Sequence, residues 1–311
     1  MKKILALILT LTMLLTLTTV ITASAESTFT VGLAMHNQSA DFTVQLYNTF
    51  KDQIEEMGGT VVMTDANGDA SLQVNQINDL IIQQVDYIVV CPQDASALGA
   101  ALDEANAAGI PVINLDSKVD DADLDKVVCV ISSDNYGGGY TLGEWIAEHL
   151  EDGDELAYLD YPQIEAIAIR FEAMCDAVKD SGKDITLYQQ IVTDTSKTVN
   201  YCEDLLMAHP KLSGIIGLND AFAMTAYSVC KEFDLENPLT AGFDGSPAGK
   251  QSIAAGELTG TVVNSPVSLA TEAANVVKTL REGGTVEFEI PVEMWIIDAT
   301  NVEEYGVEGW N

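Results

Sequence analysis

The chain has 311 residues, and its 48 acidic against 14 basic residues give a formal net charge of −34. Such a charge repels nucleic acids and anionic membrane surfaces, so we expect no nucleic-acid partner. We interpret the acidic residues as a solvated surface that aids solubility.

The first 25 residues differ in composition from the rest of the chain. Two lysines precede an apolar run over residues 4–21, and Ala23-Ser24-Ala25 follow it. This order is typical of a secretory signal peptide, residues 1–25, cleaved before Glu26, with an uncleaved membrane anchor as the alternative. We therefore expect export to the periplasm or to the outer side of the cell envelope. The remaining residues suffice for two domains of ordinary size.

Short apolar runs alternate with amphipathic stretches along the exported chain. Several runs are continuous, which is typical of strands buried on both faces, and the stretches between them carry apolar residues at helical spacing. This alternation predicts an α/β protein whose parallel sheets are covered by helices on both faces. About a dozen strands exceed one comfortable open sheet, so we predict two doubly wound lobes, with the best boundary near residue 133. The runs include 29–35, 61–63, 87–91, 112–115, 127–131, 156–159, 215–218 and 261–263.

Asparagine and aspartate dominate the positions that follow these runs. Ligands of open parallel sheets bind outside the carboxyl ends of the strands, so these side chains are the candidates for a site. Amide and carboxylate groups together supply the donors and acceptors that hydroxyl groups need, which predicts a polyol site. For any single residue, a turn or a helix N-cap is the alternative. The candidates are Asn37, Asp116, Asn219, Asp244 and Asn264.

Arg170 adds a cation to this set. It lies at the flank of the apolar stripe of the predicted helix over residues 164–178, so it can border the core and still reach the crevice. Its guanidinium offers a fork of donors for adjacent hydroxyls. The alternative is a surface ion pair with Glu165 or Glu172.

The spacing of the cysteines indicates no functional site, and the sequence matches no motif of a metal site or a cofactor site. The five cysteines are widely spaced without a CxxC pair, which favours buried structural thiols over disulfides or a zinc site. The acidic run over residues 120–125 lacks the glycine and the closing glutamate of a calcium loop and is interpreted as a surface loop. The glycines at 137–139 match neither a P-loop nor GxGxxG. We therefore predict no metal and no cofactor.

An enzymatic role is weighed against simple binding. Asp116 and Asp244 could form a glycosidase pair, which requires an apolar pocket that raises the pKa of one carboxyl. Neither GxSxG nor HExxH occurs in the sequence. We predict no catalytic residue and keep a secreted glycosidase as an alternative.

Five motifs, taken in order, resemble those of the type I periplasmic sugar-binding proteins that deliver monosaccharides to ABC importers, close to the ribose and galactose binders. The resemblance spans residues 28–301. It implies two lobes joined by a hinge that the chain crosses three times, formed by residues 26–133 plus 265–293 and by residues 134–264 plus 294–311, which close on ligand. The motifs are AGIPVI with LD at 108–116, SDN at 133–135, AHP at 208–210, NDAFAM at 219–224 and GFDGSP at 242–247.

The same resemblance assigns roles to individual residues. It implies that Asp116, Arg170, Asn219, Asp244 and Asn264 hydrogen-bond the sugar, that Phe42 packs against the sugar ring, and that Cys91 occupies the place of a ligand-contacting asparagine. The sequence departs from the family pattern at three further positions. Ser117 stands in place of an arginine, and Asp41 and Thr193 stand in place of aromatic residues, so we expect a ligand other than ribose.

These observations predict an extracytoplasmic solute-binding protein without catalysis. We expect it to be a monomer that binds a sugar or polyol and presents it to the membrane permease of an ABC transporter. A membrane sensor, either a chemoreceptor or a sensor kinase, is the alternative partner. The related DNA-binding repressors carry a helix-turn-helix where this chain has an export signal.

Overall fold

The computed structural model describes residues 28–310, so the predicted signal peptide lies outside the described residues. Twelve strands alternate with ten helices in this part of the chain. The strands are β1 (Thr30–Met35), β2 (Thr60–Asp65), β3 (Tyr87–Val90), β4 (Val112–Leu115), β5 (Cys129–Ser133), β6 (Glu155–Asp160), β7 (Thr186–Ile191), β8 (Leu212–Ile216), β9 (Ala241–Asp244), β10 (Gly260–Val263), β11 (Glu289–Val292) and β12 (Trp295–Asp298). The helices are α1 (Asp41–Glu56), α2 (Ala70–Ile82), α3 (Gly99–Ala107), α4 (Asn135–His149), α5 (Glu165–Asp180), α6 (Thr198–Ala208), α7 (Asp220–Glu232), α8 (Pro247–Ala254), α9 (Pro266–Arg281) and α10 (Val302–Tyr305).

The first sheet has six strands in the order β2-β1-β3-β4-β5-β11, and all its pairs are parallel. All six carboxyl ends therefore lie at one edge of the sheet. Apolar side chains cover both faces: Phe50 and Val277 belong to the cluster on α1 and α9, whereas Leu80 and Leu102 belong to the cluster on α2 and α3. The sheet is therefore doubly wound, as the continuous apolar runs predict.

The second sheet is built from two three-stranded ladders, β7-β6-β8 and β9-β10-β12. A parallel bridge between Gly214 and Leu239 joins them, and the Gly217 amide donates to the Ala241 carbonyl at 2.8 Å. The strand order across this lobe is thus β7-β6-β8-β9-β10-β12. β12 runs antiparallel to β10, so this sheet is not wholly parallel as predicted. An antiparallel edge strand on an otherwise parallel sheet is a common variant.

The chain passes between the two sheets three times. It leaves the first sheet after β5, returns after β10 to form α9 and β11, and leaves again to form β12. Helix α9 packs against α1, whereas β12 pairs in the second sheet. The protein therefore consists of two α/β lobes joined by a hinge of three crossings.

The turns that follow β9 and β10 both lead into a helix that begins with a serine cap and a proline. Ser246 and Ser265 cap α8 and α9 by accepting the backbone N–H groups of Gly249 and Ser268, and each is followed by a proline in the first turn. Serine supplies the capping oxygen and proline has the fixed φ of a helix start. Both helices therefore begin directly beside the candidate crevice.

Two further expectations can be compared with the structure. All five cysteines are free, four of them buried and Cys175 partly exposed. The run over residues 120–125, interpreted as a surface loop, instead forms a 3-10 helix, Asp121–Lys126, in which the mostly buried Asp123 pairs with Lys126 at 3.0 Å. No helix within residues 28–310 is both long and apolar enough to cross a bilayer.

Candidate functional site

The carboxyl ends of strands from both lobes converge on one charged cluster. Asp116 follows β4 of the first sheet, Asp244 ends β9 of the second, and Arg170 lies on α5. Each of the three charges perturbs the pKa of another member of the set. Two carboxyl groups, one from each lobe, therefore lie within electrostatic range of one guanidinium.

The backbone of both aspartates is held in an uncommon conformation. Asp116 has φ 68° and Asp244 has φ 109°, in the region that disfavours residues with a side chain. Such conformations persist where surrounding contacts enforce them, and they cluster at ligand sites. Gly245, at φ 66°, continues the turn, and a Cβ there would lie 2.7 Å from the Val263 side chain. The turn that follows Asp244 thus needs glycine at position 245.

Burial shapes the electrostatics of Asp244. Desolvation, with the negative charges of Asp220 and Asp116, raises the pKa of the Asp244 carboxyl to about 7, against the opposing effects of Arg170 and Asn264. Desolvation also raises the pKa of Asp116, opposed by His36 and Arg170. Both carboxyls therefore lose hydration that ligand hydroxyl donors could replace.

Arg170 is buried in the interior and is not a surface residue. Its side chain is 7% exposed, so the alternative of a surface pair with Glu165 or Glu172 is wrong. Its Nε donates to Oδ1 of Asn135 at 2.8 Å, and its Cζ lies 5.0 Å from the centre of the Phe243 ring. Burial lowers the pKa of the guanidinium, while Asp244 and Asp116 oppose that shift. The Nε bond fixes the plane of the guanidinium, and its terminal nitrogens are left to donate to other acceptors.

Gly139, together with Gly143 one turn later, explains how α5 comes so close to α4. A Cβ on Gly139 would collide with the carbonyl oxygen of Arg170, and a Cβ on Gly143 would collide with that of Met174. The two helices therefore pack backbone to backbone at the position of the arginine. Gly139 and Gly143 serve helix packing, whereas a Cβ on Gly137 or Gly138 would collide with the side chain of Asp134 or Met294, so all four are accounted for without a bound phosphate.

Two of the predicted asparagines also have structural partners. Oδ1 of Asn264 accepts from the Ser133 hydroxyl at 2.5 Å, and its side chain also hydrogen-bonds the Asp244 carboxyl. Oδ1 of Asn219 accepts from the Phe222 N–H at 3.1 Å and caps α7, which is the alternative that the sequence left open. The Asn219 amide nitrogen is the group that a ligand could still use.

The remaining predicted residues lie on the first lobe. Asn37 accepts from the backbone and hydroxyl of Ser39 at 3.2 and 3.1 Å, within its own turn. Phe42 packs on the first core and meets the Trp310 ring at a centroid distance of 6.0 Å. Cys91 is fully buried, and desolvation with the nearby charge of Asp116 raises the pKa of its thiol well above the ordinary value. Any contact of Cys91 with a ligand would therefore involve the neutral thiol.

Sequence reasoning missed four residues in or beside the cluster. His36 directly follows β1, its Nδ1 is buried without a hydrogen-bond partner among residues 28–310, and it opposes the rise in the pKa of Asp116. Its position after an apolar run was a usable signal. Gln73 is fully buried and donates to the carbonyls of Ala34 and Cys91 at 3.2 and 2.8 Å, which ties the ends of β1 and β3 together. Gln73 and Trp310 depend on contacts between distant segments, which no local pattern signals, whereas Asn135 lies in the SDN motif at 133–135.

A buried carboxyl group, with a buried lysine in electrostatic range, lies behind Asp244. Asp220 accepts from the Thr261 hydroxyl at 2.5 Å and from the backbone and hydroxyl of Ser246 at 2.7 Å each. Desolvation raises its pKa to about 6 against these bonds and the charge of Lys250. Lys250 is fully buried, and its Nζ has no hydrogen-bond partner among residues 28–310. Asp220 thereby fixes the turn that carries Asp244.

The arrangement is suited to binding polyhydroxyl compounds. Paired carboxyls accept hydrogen bonds, the guanidinium and amides donate them, and an aromatic ring offers an apolar face. Within residues 28–310, no group of three or more His, Cys, Asp or Glu side chains is arranged to hold a metal ion.

Comparison with known proteins gives a consistent result. A family model described as a periplasmic binding protein domain matches residues 31–285. The ribose import binding protein RbsB of Bacillus subtilis (strain 168) is 32% identical over 251 residues, which covers 79% of this chain and 81% of the relative. The D-ribose/D-allose-binding protein of Pseudomonas aeruginosa PAO1 is 27% identical over 226 residues, 71% of each chain.

Solved structures agree in fold. An ABC transporter solute binding protein from Mycobacterium smegmatis with bound glycerol has a TM-score of 0.79 and 26% identity, covering 89% of this chain and 96% of that chain. A periplasmic solute binding protein from Actinobacillus succinogenes 130z with bound D-allose has a TM-score of 0.82 and 21% identity, covering 89% and 100%. The two α/β lobes and the match over residues 31–285 lead to one conclusion: the chain belongs to the periplasmic binding protein domain family.

Proposed function

We propose that the protein captures a monosaccharide or related polyol between its two lobes and delivers it to the membrane permease of an ABC importer. The observation that carries this proposal is the convergence of Asp116 and Asp244, from opposite lobes, beside the buried Arg170. Asn37, Phe42, Cys91, Asn219 and Asn264 complete the proposed contact set. The relatives named for ribose import and for ribose and allose binding support a sugar as ligand.

The ligand is proposed to differ from ribose. Ser117 is exposed and replaces an arginine of the ribose type, which leaves Arg170 as the one guanidinium proposed to touch the ligand. Thr193 replaces an aromatic residue, and its backbone and hydroxyl bond the Tyr201 hydroxyl at 3.3 and 3.1 Å. Because the site has fewer aromatic and cationic contacts, we propose that it accepts a larger or differently substituted polyol.

The lobes are proposed to be residues 26–133 plus 265–293 and residues 134–264 plus 294–311. The pairing of β11 with β5 and of β12 with β10 supports these limits. We propose that the lobes close on ligand about the three crossings, as periplasmic binding proteins in general do. The protein is proposed to act as a monomer after export to the periplasm or the outer side of the cell envelope.

Binding without catalysis is the function of this family. The raised pKa of Asp244 is a property that a glycosidase acid also has. Here the pKa of Asp244 is raised by burial and by two other carboxyl groups nearby. Ligand hydroxyl groups would donate the hydrogen bonds that this carboxyl loses when water is excluded. We therefore expect the protein to bind an aryl glycoside and to release no product from it.

Calorimetric titration tests the proposal. The panel contains D-ribose, D-allose, D-xylose, glycerol and myo-inositol, with amino acids as the contrasting class. We expect one compound of the first group to bind with 1:1 stoichiometry and micromolar affinity, about 8 kcal/mol of binding free energy. Asp244→Ala should abolish that binding, whereas Asp234→Ala, at an exposed aspartate with φ 63°, should not. Tight binding of an amino acid, with none of a polyol, would contradict the proposal.

A further inference from the structure

The segment after α10 is anchored on the second lobe. Val307 packs against the apolar cluster that contains Ile253 and Val302, and its carbonyl accepts from Nε2 of Gln251 at 3.5 Å. Gly306 and Gly309 have φ 71° and 76° and turn the backbone on both sides of Val307. Glycine allows both turns because it has no Cβ. The segment is therefore held in place up to Trp310.

Trp310 reaches from this anchor to the first lobe. Its ring is partly buried and meets the Phe42 ring edge to face, with centroids 6.0 Å apart and planes at 84°. Phe42 lies in the first turn of α1 and packs on the core of the first lobe. Every other aromatic ring pair found within residues 28–310 joins two residues of the second lobe. The Phe42–Trp310 pair is thus a contact between lobes at the residue proposed to face the ligand.

The pair has a direct consequence for opening and closing. Because one ring belongs to each lobe, a separation of the lobes at this point would break the contact, and the contact would then stabilise the closed state. A ligand held in the crevice is released through the open state. Edge-to-face pairs have a favourable geometry, and one pair contributes about a 3- to 10-fold change in an equilibrium constant.

We propose that Trp310 is a ligand-retaining residue: its ring locks against Phe42 when the lobes close and slows the release of the bound polyol. This inference rests on the proposed function, because it concerns the same crevice. Trp310 need not contact the ligand, so it is a positioning residue that acts through Phe42. Its effect should lie in the dissociation rate, because the Phe42–Trp310 contact forms only after the ligand has bound between the lobes.

Stopped-flow fluorescence and calorimetry test the inference on the exported chain, with a polyol that the wild-type protein binds. We expect Trp310→Ala to raise the dissociation rate about 3- to 10-fold while the association rate changes less than about twofold. Trp310→Leu, which keeps an apolar side chain without the ring, should behave in the same way and replaces the alanine variant if that one folds poorly. The matched control is Tyr305→Ala. Tyr305 stacks on Trp295 with ring centroids 6.0 Å apart, and both residues belong to the second lobe, so this variant removes an aromatic pair that does not join the lobes.

The outcomes separate the two proposals. Unchanged dissociation rates in both Trp310 variants, with binding by the wild type, overturn the inference and leave the proposed function standing. An equal acceleration in Tyr305→Ala also overturns it, because general loosening of the segment would then explain the effect. A wild-type protein that binds no polyol overturns the proposed function, and with it the inference.

Discussion

The Ser133 hydroxyl donates to Oδ1 of Asn264 at 2.5 Å, and this bond joins the end of β5 in one sheet to the end of β10 in the other. Both side chains are buried, at 7% and 6% exposure. Because Oδ1 is occupied, the Asn264 amide nitrogen is the group left to donate to Asp244. A serine of the first lobe therefore orients an asparagine of the second.

Ser133→Ala should weaken ligand binding although Ser133 is not a proposed ligand contact. Without the donor, the Asn264 amide can rotate away from Asp244, and one hydrogen bond of about 1 kcal/mol is lost. We expect the dissociation constant to rise about fivefold in calorimetric titration. Ser132→Ala, at the neighbouring partly buried position, is the control and should leave affinity unchanged. Equal affinities for the two variants would show that Ser133 has no part in orienting Asn264.

Arg170→Ala should cost about 1.5 to 3 kcal/mol of binding free energy, the range for a hydrogen bond to a charged group. Arg170→Lys keeps the charge but loses the Nε bond to Asn135, so its affinity should lie between that of the wild type and that of Arg170→Ala. Titration calorimetry gives the affinities, and circular dichroism verifies folding. Lys179→Ala, at an exposed residue of the same helix, serves as the control. A folded Arg170→Ala protein with wild-type affinity would exclude contact with the ligand.

Ligand affinity should depend on pH through Asp244. Its pKa, about 7 in the folded protein, exceeds the ordinary value of 3.8. Ligand hydroxyls donate to the ionised carboxyl, so affinity should fall as pH drops below 7, by at most about 100-fold at pH 5. Without ligand the sign reverses, because a raised folded pKa makes the protein less stable as pH rises from about 4 to 7.

Asp244→Asn separates these two effects. The variant should bind more weakly at pH 8 and lose most of the pH dependence of affinity, which titrations between pH 5 and 8 measure. Its ligand-free form should unfold at a higher temperature than the wild type at pH 8, because a desolvated charge near Asp220 and Asp116 is gone. Persistence of the full pH dependence in Asp244→Asn would assign it to another group, and Asp220 is then the first to examine.

The sequence was sufficient to predict the α/β class and the two lobes, because strands buried on both faces require continuous apolar runs. It could not show that β12 runs antiparallel. The side chains of β10 and β12 suit either direction, and direction depends on where the chain crosses between sheets, around residues 293–294.

The site could be predicted to different degrees. Asp116, Asp244 and Asn264 follow apolar runs, so the rule for strand ends was enough to select them. The burial of Arg170 depends on the absence of a side chain at Gly139, which lies on a different helix. Trp310 is separated from Phe42 by most of the chain, and no periodic pattern connects two such positions.

Lys250→Met should destabilise the protein at pH 8 and hardly at pH 5. Lys250 is the buried counter-charge of Asp220, whose pKa is about 6. At pH 8 the ionised Asp220 would lose the favourable charge of Lys250 in the interior, so we expect the larger loss of stability there. At pH 5 Asp220 is mostly protonated and needs no partner. Urea unfolding at both pH values measures the difference, with the exposed Lys179→Met as control. An equal loss of stability at the two pH values would show that Lys250 acts through packing and not through its charge.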